Sequence, residues 1–411
     1  MAAGEMPDCP GKGEKMKPVK AGLIGSGIIS WTYLDNMVNC FESVEVVGCS
    51  DLIPERSAAR AEEFGIRQMT NQEIYDDPEI EIVVNTTNWQ SHTQVIREAL
   101  NAGKHVYTEK SLAPSYEEAC EIARLAEEKG LRIGCAPDTF LGGGYQTCRK
   151  LIDDGYIGKP ISVHAFLARN VWPDGARNDV KLENGGTLPF DMAAYYIHAM
   201  VHLFGPVQTV AGFADSYPFE LRNPYNPRQG ESAEVPGITS LYGALRFESG
   251  VCGTLVVTGE SFMETPRVEV YGSEGTLICP DPNYYGGPVM LMRKGGSRFM
   301  EIPITHDHVT TNKFEGAPGT WGDSRRGMGV AEMAWAIRGE RPHRCDVGLH
   351  LHALELIHGL DVCTREGTVY TMETRPARPA ALKAGMIGKC HEAALADWQP
   401  DVIKWAGGRI C

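Results

Sequence analysis

The stretch from Val19 to Ser30 reads VKAGLIGSGIIS, and it decides the class of fold. Its first six residues form a short apolar run, and glycines then interrupt it before a helical pattern that continues to about Met37. Gly25 allows a tight turn, Gly27 lets a phosphate approach bare backbone, and the small Ser30 lets the helix pack closely on the strand. The pattern G-x-G-x-x-S therefore predicts a Rossmann-type turn that binds a pyrophosphate at the positive end of a helix.

A second apolar run, Val44 to Cys49, ends in Ser50-Asp51. Asp51 lies at about the distance from the glycines at which an acid accepts hydrogen bonds from an adenosine ribose. The alternative is that Asp51 caps the helix that begins near Pro54. A carboxylate here repels a ribose 2′-phosphate, so the sequence favours NAD over NADP, although Arg56 leaves NADP open.

Length and composition predict a globular protein of two domains. The chain has 411 residues, of which 43% are hydrophobic and 22% charged, and this length exceeds one ordinary domain. Its net charge of −14 argues against nucleic-acid binding and against binding to anionic membranes. Its 12 cysteines form neither C-x-x-C nor a zinc-ligand spacing, which suggests a reducing compartment and therefore the cytoplasm.

Residues 1–18 are predicted to be a disordered lead-in without a secretory signal, because they are mostly polar and lack an apolar core segment. Residues 19–138 alternate strand and helix patterns, and their strands are apolar on both faces, as in a parallel sheet covered by helices. They predict an α/β Rossmann domain. Its expected strands are 19–24, 44–49, 80–86, 104–108 and 131–135, and its expected helices are 27–38, 54–64, 90–102 and 115–129.

Residues 139–380 show a different pattern, in which short strands joined by Gly, Pro and Asn turns predominate. They predict an α+β domain with a large, mostly antiparallel open sheet, followed by a C-terminal tail, 381–411. Such a sheet needs a cover, so we expect self-association through its outer face, as a homodimer or homotetramer. Its expected strands are 160–167, 207–213, 239–248, 251–259, 266–271, 276–279 and 288–293, and its expected helices are 145–154, 189–204, 325–338 and 347–365.

Chemistry is expected at the carboxyl ends of the parallel strands, where such sheets bind ligands. Strand 104–108 ends in Glu109-Lys110, so Lys110 should project toward the cofactor crevice. A lysine there can hydrogen-bond a substrate hydroxyl, and it can take the hydroxyl proton if burial lowers its pKa. The alternative is an ordinary surface lysine in a loop.

Asp191, Tyr195, His198 and His202 are spaced by four, three and four residues, which places them on one face of a predicted helix. This row could be exposed, could form a buried hydrogen-bonded network, or could line a substrate pocket. A zinc site of Asp191, His198 and His202 is conceivable by ligand type, but hydride transfer needs no metal. Aromatic residues also cluster in the second half and suit either sugar rings or packing: Trp172, Tyr217, Phe219, Tyr225, Tyr284, Tyr285 and Trp321.

These features together resemble the Gfo/Idh/MocA family, named for glucose-fructose oxidoreductase, inositol dehydrogenase and a rhizopine-catabolism protein. The family's glycine turn, strand-two acid, T-P-N-x-x-H segment, E-K-P signature and G-G-x-x-x-D-x-G-x-H segment have counterparts here. Ser111 stands where proline is usual, and Tyr195 where histidine is usual, as in some members similar to glucose-fructose oxidoreductase. The matching residues are Gly25, Gly27, Ser30, Asp51, Thr86, Thr87, Asn88, His92, Glu109, Lys110, Gly185, Gly186 and Asp191.

The resemblance implies hydride transfer between NAD and a secondary hydroxyl of a sugar, glycoside or cyclitol. Lys110 would contact the reacting hydroxyl, Tyr195 would be the acid/base with His198 as its rival, and Asp191 would orient the substrate or the base. Trp89 and Tyr196 would shape the substrate pocket with these residues. Cofactor contacts are expected from Gly25, Gly27, Ile28, Ile29, Asp51, Arg56, Thr86, Asn88, His92, Glu109 and Lys110.

Two rival functions remain open at this stage. Some relatives hold NAD permanently and cleave a glycosidic bond by transient oxidation of a sugar carbon, a reaction that begins with the same hydride step. Others are non-catalytic NAD-binding sensors, a reading that predicts loss of the strand-end lysine, whereas Lys110 is present.

Overall fold

The computed structural model describes residues 16–170, 184–217, 219–220, 230, 232–233, 235–306 and 325–384. Most of the predicted lead-in and tail therefore lie outside the described residues, as do Trp172, Tyr225 and Trp321. The architecture is an α/β Rossmann domain followed by an α+β domain with a large, mostly antiparallel sheet, as predicted. No helix in the described part of the chain is both long and apolar enough to cross a bilayer.

The first sheet is parallel, and its spatial order is 3-2-1-4-5-6, which is the order of a dinucleotide-binding Rossmann sheet. All of Ile82, Val83 and Val84 are buried, because helices cover both faces of the sheet. In chain order its strands are β1 Val19–Ile24, β2 Val44–Ser50, β3 Arg67–Gln68, β4 Ile82–Asn85, β5 His105–Thr108 and β6 Ile133–Cys135.

The helices between these strands begin and end where local chemistry predicts. The Asn88 and Ser115 side chains accept hydrogen bonds from the backbone of the first helical turns that follow them, and Gly65 ends its helix with a left-handed φ of 65°. The helices are α1 Ile28–Asn39, α2 Pro54–Phe64, α3 Asn71–Asp76, α4 Trp89–Asn101 and α5 Tyr116–Glu128.

The second sheet has nine strands among the described residues, in the order 16-15-14-13-7-12-11-8-17. Only the pair of β7 and β12 is parallel, at the centre of the sheet. Its strands, with a separate ribbon of β9 and β10, are β7 Pro160–Asn170, β8 Val207–Asp215, β9 Phe219–Glu220, β10 Ser232–Ala233, β11 Ser240–Phe247, β12 Cys252–Thr258, β13 Glu260–Gly272, β14 Gly275–Cys279, β15 Val289–Arg293, β16 Met300–Ile302 and β17 Tyr370–Thr371.

Helices cover the inner face of this sheet, and one helix returns to the first sheet. The α8 helix, Met328–Arg338, packs against β2 and β6, and the Ser43 hydroxyl donates to the carbonyl of Ala331 on this helix. The remaining elements are a 3₁₀ turn at Thr139–Leu141, a π-helical turn at Pro189–Ala193, α6 Gly143–Asp153, α7 Ala194–Phe204, α8 Met328–Arg338 and α9 Val347–Glu366.

Candidate active site

The glycine turn lies between the ends of β2 and β4. Gly25 has a φ of +100°, and a Cβ atom there would lie 2.6 Å from the backbone nitrogen of Thr87, so the position requires glycine. Its N–H donates to the Ser50 carbonyl at 2.9 Å. The Thr86 hydroxyl donates to the Gly25 carbonyl at 2.7 Å. The turn is therefore fixed from both neighbouring strands.

Gly27, by contrast, faces open space. No heavy atom lies within 4 Å of the position that its Cβ would occupy, although its φ of −76° suits any residue. The α1 helix that follows has no side-chain cap, and Ile28 is 52% exposed. Unbonded N–H groups at the positive end of a helix, beside bare backbone, are a fit for the pyrophosphate of a dinucleotide.

The Asp51 carboxylate lies against this turn. Its Oδ2 accepts a hydrogen bond from Ser26 N at 2.7 Å, and its Oδ1 accepts one from Ile53 N at 2.8 Å. The alternative role as a helix cap does not apply, because α2 is capped by Ile53 without a side-chain hydrogen bond. Each carboxylate oxygen keeps a lone pair for a ribose hydroxyl, while Arg56 is exposed on the neighbouring turn.

Two further predicted cofactor residues have mainly local partners. Asn88 caps α4 by accepting from Ser91 N at 3.2 Å. His92 is buried, with Nδ1 2.6 Å from the Ser111 carbonyl oxygen and Nε2 3.1 Å from that of Thr87. The structure thus makes His92 a link between two strand-end loops.

Lys110 and Asp191 form an ion pair between the two domains. Lys110 Nζ lies 2.5 Å from Asp191 Oδ1, and the two side chains are 24% and 29% exposed. The Glu109 carboxylate lies behind this pair, where it accepts from the Tyr33 hydroxyl at 2.8 Å and from Lys110 N at 3.2 Å. The Lys110–Ser111 peptide is cis. Glu109 therefore anchors the backbone that presents Lys110.

The electrostatics of Lys110 differ from the simple expectation that burial lowers its pKa. Burial does oppose the ammonium charge, but Asp191, Tyr195 and Glu109 outweigh it and raise the pKa of Lys110 above 10.5. Lys110 therefore remains an ammonium group at neutral pH. As an ammonium group it can donate a hydrogen bond to a ligand oxygen.

Tyr195 lies beside this ion pair and is almost fully buried, with 4% of its surface exposed. Burial raises the pKa of its phenol, while the positive charges of Arg326 and Lys110 oppose that shift. The Arg326 guanidinium carbon lies 5.2 Å from the centroid of the Tyr195 ring. No residue in the described ranges hydrogen-bonds the Tyr195 hydroxyl, which leaves it available to a ligand.

The predicted helix row is divided in the structure, because its first part is a π-helical turn and α7 is buried on all sides. His198 donates from Nδ1 to the Pro137 carbonyl oxygen at 3.1 Å and packs edge-on against His350. Burial lowers the pKa of His198 to about 4. His202 packs against Phe140 with the two rings tilted by 40°. Among the described residues, these histidines and Asp191 form no group that could hold a metal ion.

The predicted pocket aromatics have separate environments. Trp89 packs on Gly185, whose Cβ would lie 2.6 Å from the indole ring. Tyr196 is fully buried and interacts electrostatically with Tyr145. Tyr285 belongs to the site's surroundings, since its hydroxyl donates to Asp138 Oδ1 at 2.5 Å.

Sequence reasoning missed three residues that interact with Glu109 or Tyr195: Tyr33, Asp138 and Arg326. Asp138 is fully buried and accepts from Gly329 N at 2.8 Å as well as from Tyr285. Arg326 directly precedes α8, and its side chain is buried. None carries a local motif, so only the fold reveals their proximity.

The glycine turn, the adjacent acid and the open sheet define a two-domain nucleotide-binding protein. Residues 19–136 match the domain described as "Oxidoreductase family, NAD-binding Rossmann fold", and residues 145–278 match the GFO/IDH/MocA C-terminal domain. The two matches cover more than half of the chain. The chain therefore belongs to the GFO/IDH/MocA family, and its first domain is an NAD-binding Rossmann domain.

Several relatives and structural neighbours are named for sugars or cyclitols. The chain is 28% identical to 1,5-anhydro-D-fructose reductase of Ensifer adhaerens over 62% of this chain and 74% of that protein. It is 26% identical to inositol 2-dehydrogenase/D-chiro-inositol 3-dehydrogenase of Lactiplantibacillus plantarum over 46% of this chain and 56% of that protein. Levoglucosan dehydrogenase in its apo form shares the fold, with a TM-score of 0.73 and 17% identity over 88% of this chain and 100% of that one. The chain spans little more than half the length, 54% and 56%, of the first curated relatives it matches.

Proposed function

We propose that this protein is an NAD-dependent oxidoreductase that transfers hydride between the nicotinamide and a secondary hydroxyl of a sugar, glycoside or cyclitol. The observation that carries the proposal is the ion pair of Lys110 and Asp191, whose Nζ and Oδ1 atoms lie 2.5 Å apart beyond the carboxyl end of β5. Tyr195, on α7, lies beside this pair. Bound NAD supplies the hydride acceptor for the carbon that bears the hydroxyl. The relatives named for inositol and anhydrofructose support this substrate class.

In this proposal Lys110 binds the reacting oxygen. Because its pKa is raised, Lys110 remains an ammonium group with three N–H donors. One of them donates to Asp191, and another donates to the substrate hydroxyl. Asp191 fixes the ammonium group in position, because a charge-assisted hydrogen bond is short and directional. Glu109, held by Tyr33, fixes the backbone from which Lys110 projects.

Tyr195 carries the proton. As the alcohol is oxidised, its O–H proton passes to the phenolate oxygen of Tyr195 while hydride leaves the carbon, and the reverse steps run during reduction. Lys110 and Arg326 place positive charge near the phenolate that this role requires. His198 is the weaker choice, because its Nδ1 already pairs with the Pro137 carbonyl and burial disfavours its charged form.

The test uses the purified full chain with NAD and a panel of cyclitols, anhydro sugars, free sugars and glycosides, while absorbance of reduced nicotinamide is followed. Lys110→Ala and Tyr195→Phe should each lower kcat/KM by about 100-fold or more while NAD affinity stays within a few fold. Lys129→Ala, on an exposed lysine after α5, is the matched control and should leave kcat/KM unchanged.

Other outcomes separate the rival functions. A glycoside that is cleaved with no net reduction of NAD would assign the protein to the internal-redox lyases or glycosidases. NAD binding with no turnover of any panel member, and no effect of Lys110→Ala, would assign it to the non-catalytic sensors.

We also propose that the protein self-associates through the outer face of the second sheet. Phe213, Tyr242, Val256 and Phe166 are paired across four neighbouring strands on that face, and the three aromatic residues are 64%, 37% and 36% exposed. A contiguous apolar row on an open sheet is typical of an interface. Phe213→Glu should lower the mass measured by sedimentation, whereas Leu52→Glu, an exposed site on the first domain, should not. A monomeric wild-type protein at micromolar concentration would refute the proposal.

A further inference from the structure

We propose that Arg326 is a positioning residue for proton transfer: its buried guanidinium, lying over the Tyr195 ring, stabilises the phenolate form through which Tyr195 acts. This inference rests on the proposed role of Tyr195. It concerns the electrostatic environment of Tyr195, because a phenol releases its proton about three pH units later than an imidazolium and needs nearby positive charge to act as a base.

The geometry places Arg326 against two tyrosine rings. Its guanidinium carbon lies 5.2 Å from the Tyr195 ring centroid and 6.0 Å from that of Tyr285. A cation within about 6 Å of a ring centroid is attracted to the ring face, and more strongly when it is desolvated. Arg326 is 5% exposed, so little water screens its charge from Tyr195.

Other contacts hold the guanidinium in this place. Its Nη2 donates to Asn283 Oδ1 at 2.8 Å. Gly327 follows directly with a left-handed φ of +98° and caps α8. Gly329, in the first turn of that helix, donates to Asp138. The start of α8 therefore sets the position of Arg326 relative to α7, which carries Tyr195.

Arg326 is a buried cation whose charge is incompletely paired. Among the described residues, no carboxylate forms a salt bridge with it, and its buried Nη1 has no hydrogen-bond partner. Burial of a cation is costly unless an anion compensates it. The phenolate form of Tyr195, which accepts the alcohol proton, supplies a further anion at this position.

The surrounding charges agree with this role. Tyr195 and Tyr285 interact electrostatically with Arg326, and Glu109 and Asp138 do so after them. Neither carboxylate forms a direct salt bridge with Arg326 among the described residues. Among the charges that face Tyr195, Arg326 is the first of those that lower the pKa of its phenol and Lys110 the second. Glu109 and Asp191 act in the opposite direction, as does burial. Removal of Arg326 therefore leaves Tyr195 with one nearby cation against two carboxylates.

The kinetic test compares the pH dependence of kcat/KM for polyol oxidation in Arg326→Gln, Arg326→Lys and wild type. Glutamine can still hydrogen-bond Asn283 but carries no charge. We expect the rise of kcat/KM with pH to move up by about one unit in Arg326→Gln, with about a tenfold loss at neutral pH. Arg326→Lys should restore most of the wild-type profile. Arg325→Gln is the matched control, because Arg325 donates to Asn36 instead, and its profile should be unchanged.

A titration of the free protein decides the inference without turnover. Tyrosinate absorbance is recorded against pH for wild type, Arg326→Gln, Tyr195→Phe and the double variant. Wild type minus Tyr195→Phe gives the Tyr195 transition with Arg326 present, and Arg326→Gln minus the double variant gives the same transition without Arg326. We expect that transition to move to higher pH in Arg326→Gln, with circular dichroism unchanged. An unmoved transition, or an unmoved kinetic profile, would overturn the role of Arg326. Absence of polyol oxidation in wild type would instead overturn the proposed function, and the titration would still decide the inference.

Discussion

At the scale of single residues, Gly25 and Gly27 stand two positions apart and are glycines for different reasons. Gly25 needs a left-handed φ and has Thr87 backbone against it, so the protein's own packing demands it. Gly27 has an ordinary φ and open space beside it. A side chain at Gly27 would therefore meet only what binds there.

This contrast predicts opposite effects for two substitutions. Gly27→Val should leave the urea midpoint of the NAD-free protein nearly unchanged and should weaken NAD binding at least about tenfold, or about 1.4 kcal/mol. Gly25→Ala should lower the midpoint itself, because its Cβ would meet backbone at 2.6 Å. Calorimetric NAD titration and urea unfolding measure the two effects. Tight NAD binding by Gly27→Val would remove Gly27 from the pyrophosphate site.

The sequence predicts residues that belong to local motifs better than residues that meet through the fold. Lys110 directly follows Glu109 after a strand end, and this local pattern marks it as a candidate site residue. Arg326 is separated from Tyr195 by more than a hundred positions and carries no motif, so its approach to the ring depends on how α8 returns to the first sheet. The raised pKa of Lys110 was not predictable for the same reason, since Asp191 determines it.

At the scale of elements, the long strands and helices follow from hydrophobic periodicity, while short or irregular elements do not. The predicted helices near 54–64 and 27–38 agree with α2 and α1 within a residue or so. β3 and α3 were missed, because two residues of strand and six of helix are too short for a periodic signal. The capping box of Thr70 and Glu73 was the one local sign of α3.

The segment before α7 shows where regular periodicity fails. The sequence predicts one continuous helix over 189–204, but the structure begins it with a π-helical turn at Pro189–Ala193. An inserted π turn changes which side chains share a face, and such turns are frequent at functional sites. Asp191 lies in this turn and pairs with Lys110, whereas His198, further along the helix, faces Pro137.

At the scale of the whole molecule, the protein buries several neutral histidines. Burial lowers the pKa of His198 and His306 to about 4 and that of His352 to about 3. It also lowers the pKa values of His202 and His350 well below 6.5. In the unfolded chain these imidazoles are therefore protonated near pH 6.5, whereas in the folded protein they are protonated only at a much lower pH.

This difference predicts that the folded protein loses stability as the pH falls. Stability should be full above about pH 7 and should fall as the pH drops from about 6.5 toward 4, with each such histidine contributing up to about 1.4 kcal/mol per pH unit. Urea midpoints measured at about pH 8, 7, 6 and 5, values that span the ordinary pKa of histidine, check this expectation. His352→Gln should reduce the slope by about one proton. A midpoint that stays constant from pH 7 to 5 would contradict the neutral, buried state of these histidines.

The outer edge of β6 has a consequence for the order of assembly during synthesis. Residues 19–135 contain all six strands of the first sheet, yet the free edge of β6 is covered by chain made some 200 residues later: Gly134 bridges to Asp346, and Cys135 N donates to the Cys345 carbonyl. When all six strands of the first sheet have been synthesised, the outer edge of β6 therefore still has unpaired backbone groups. That edge is covered only once the chain through Asp346 has been made, so we expect β6 to remain able to pair with other strands over that interval of synthesis.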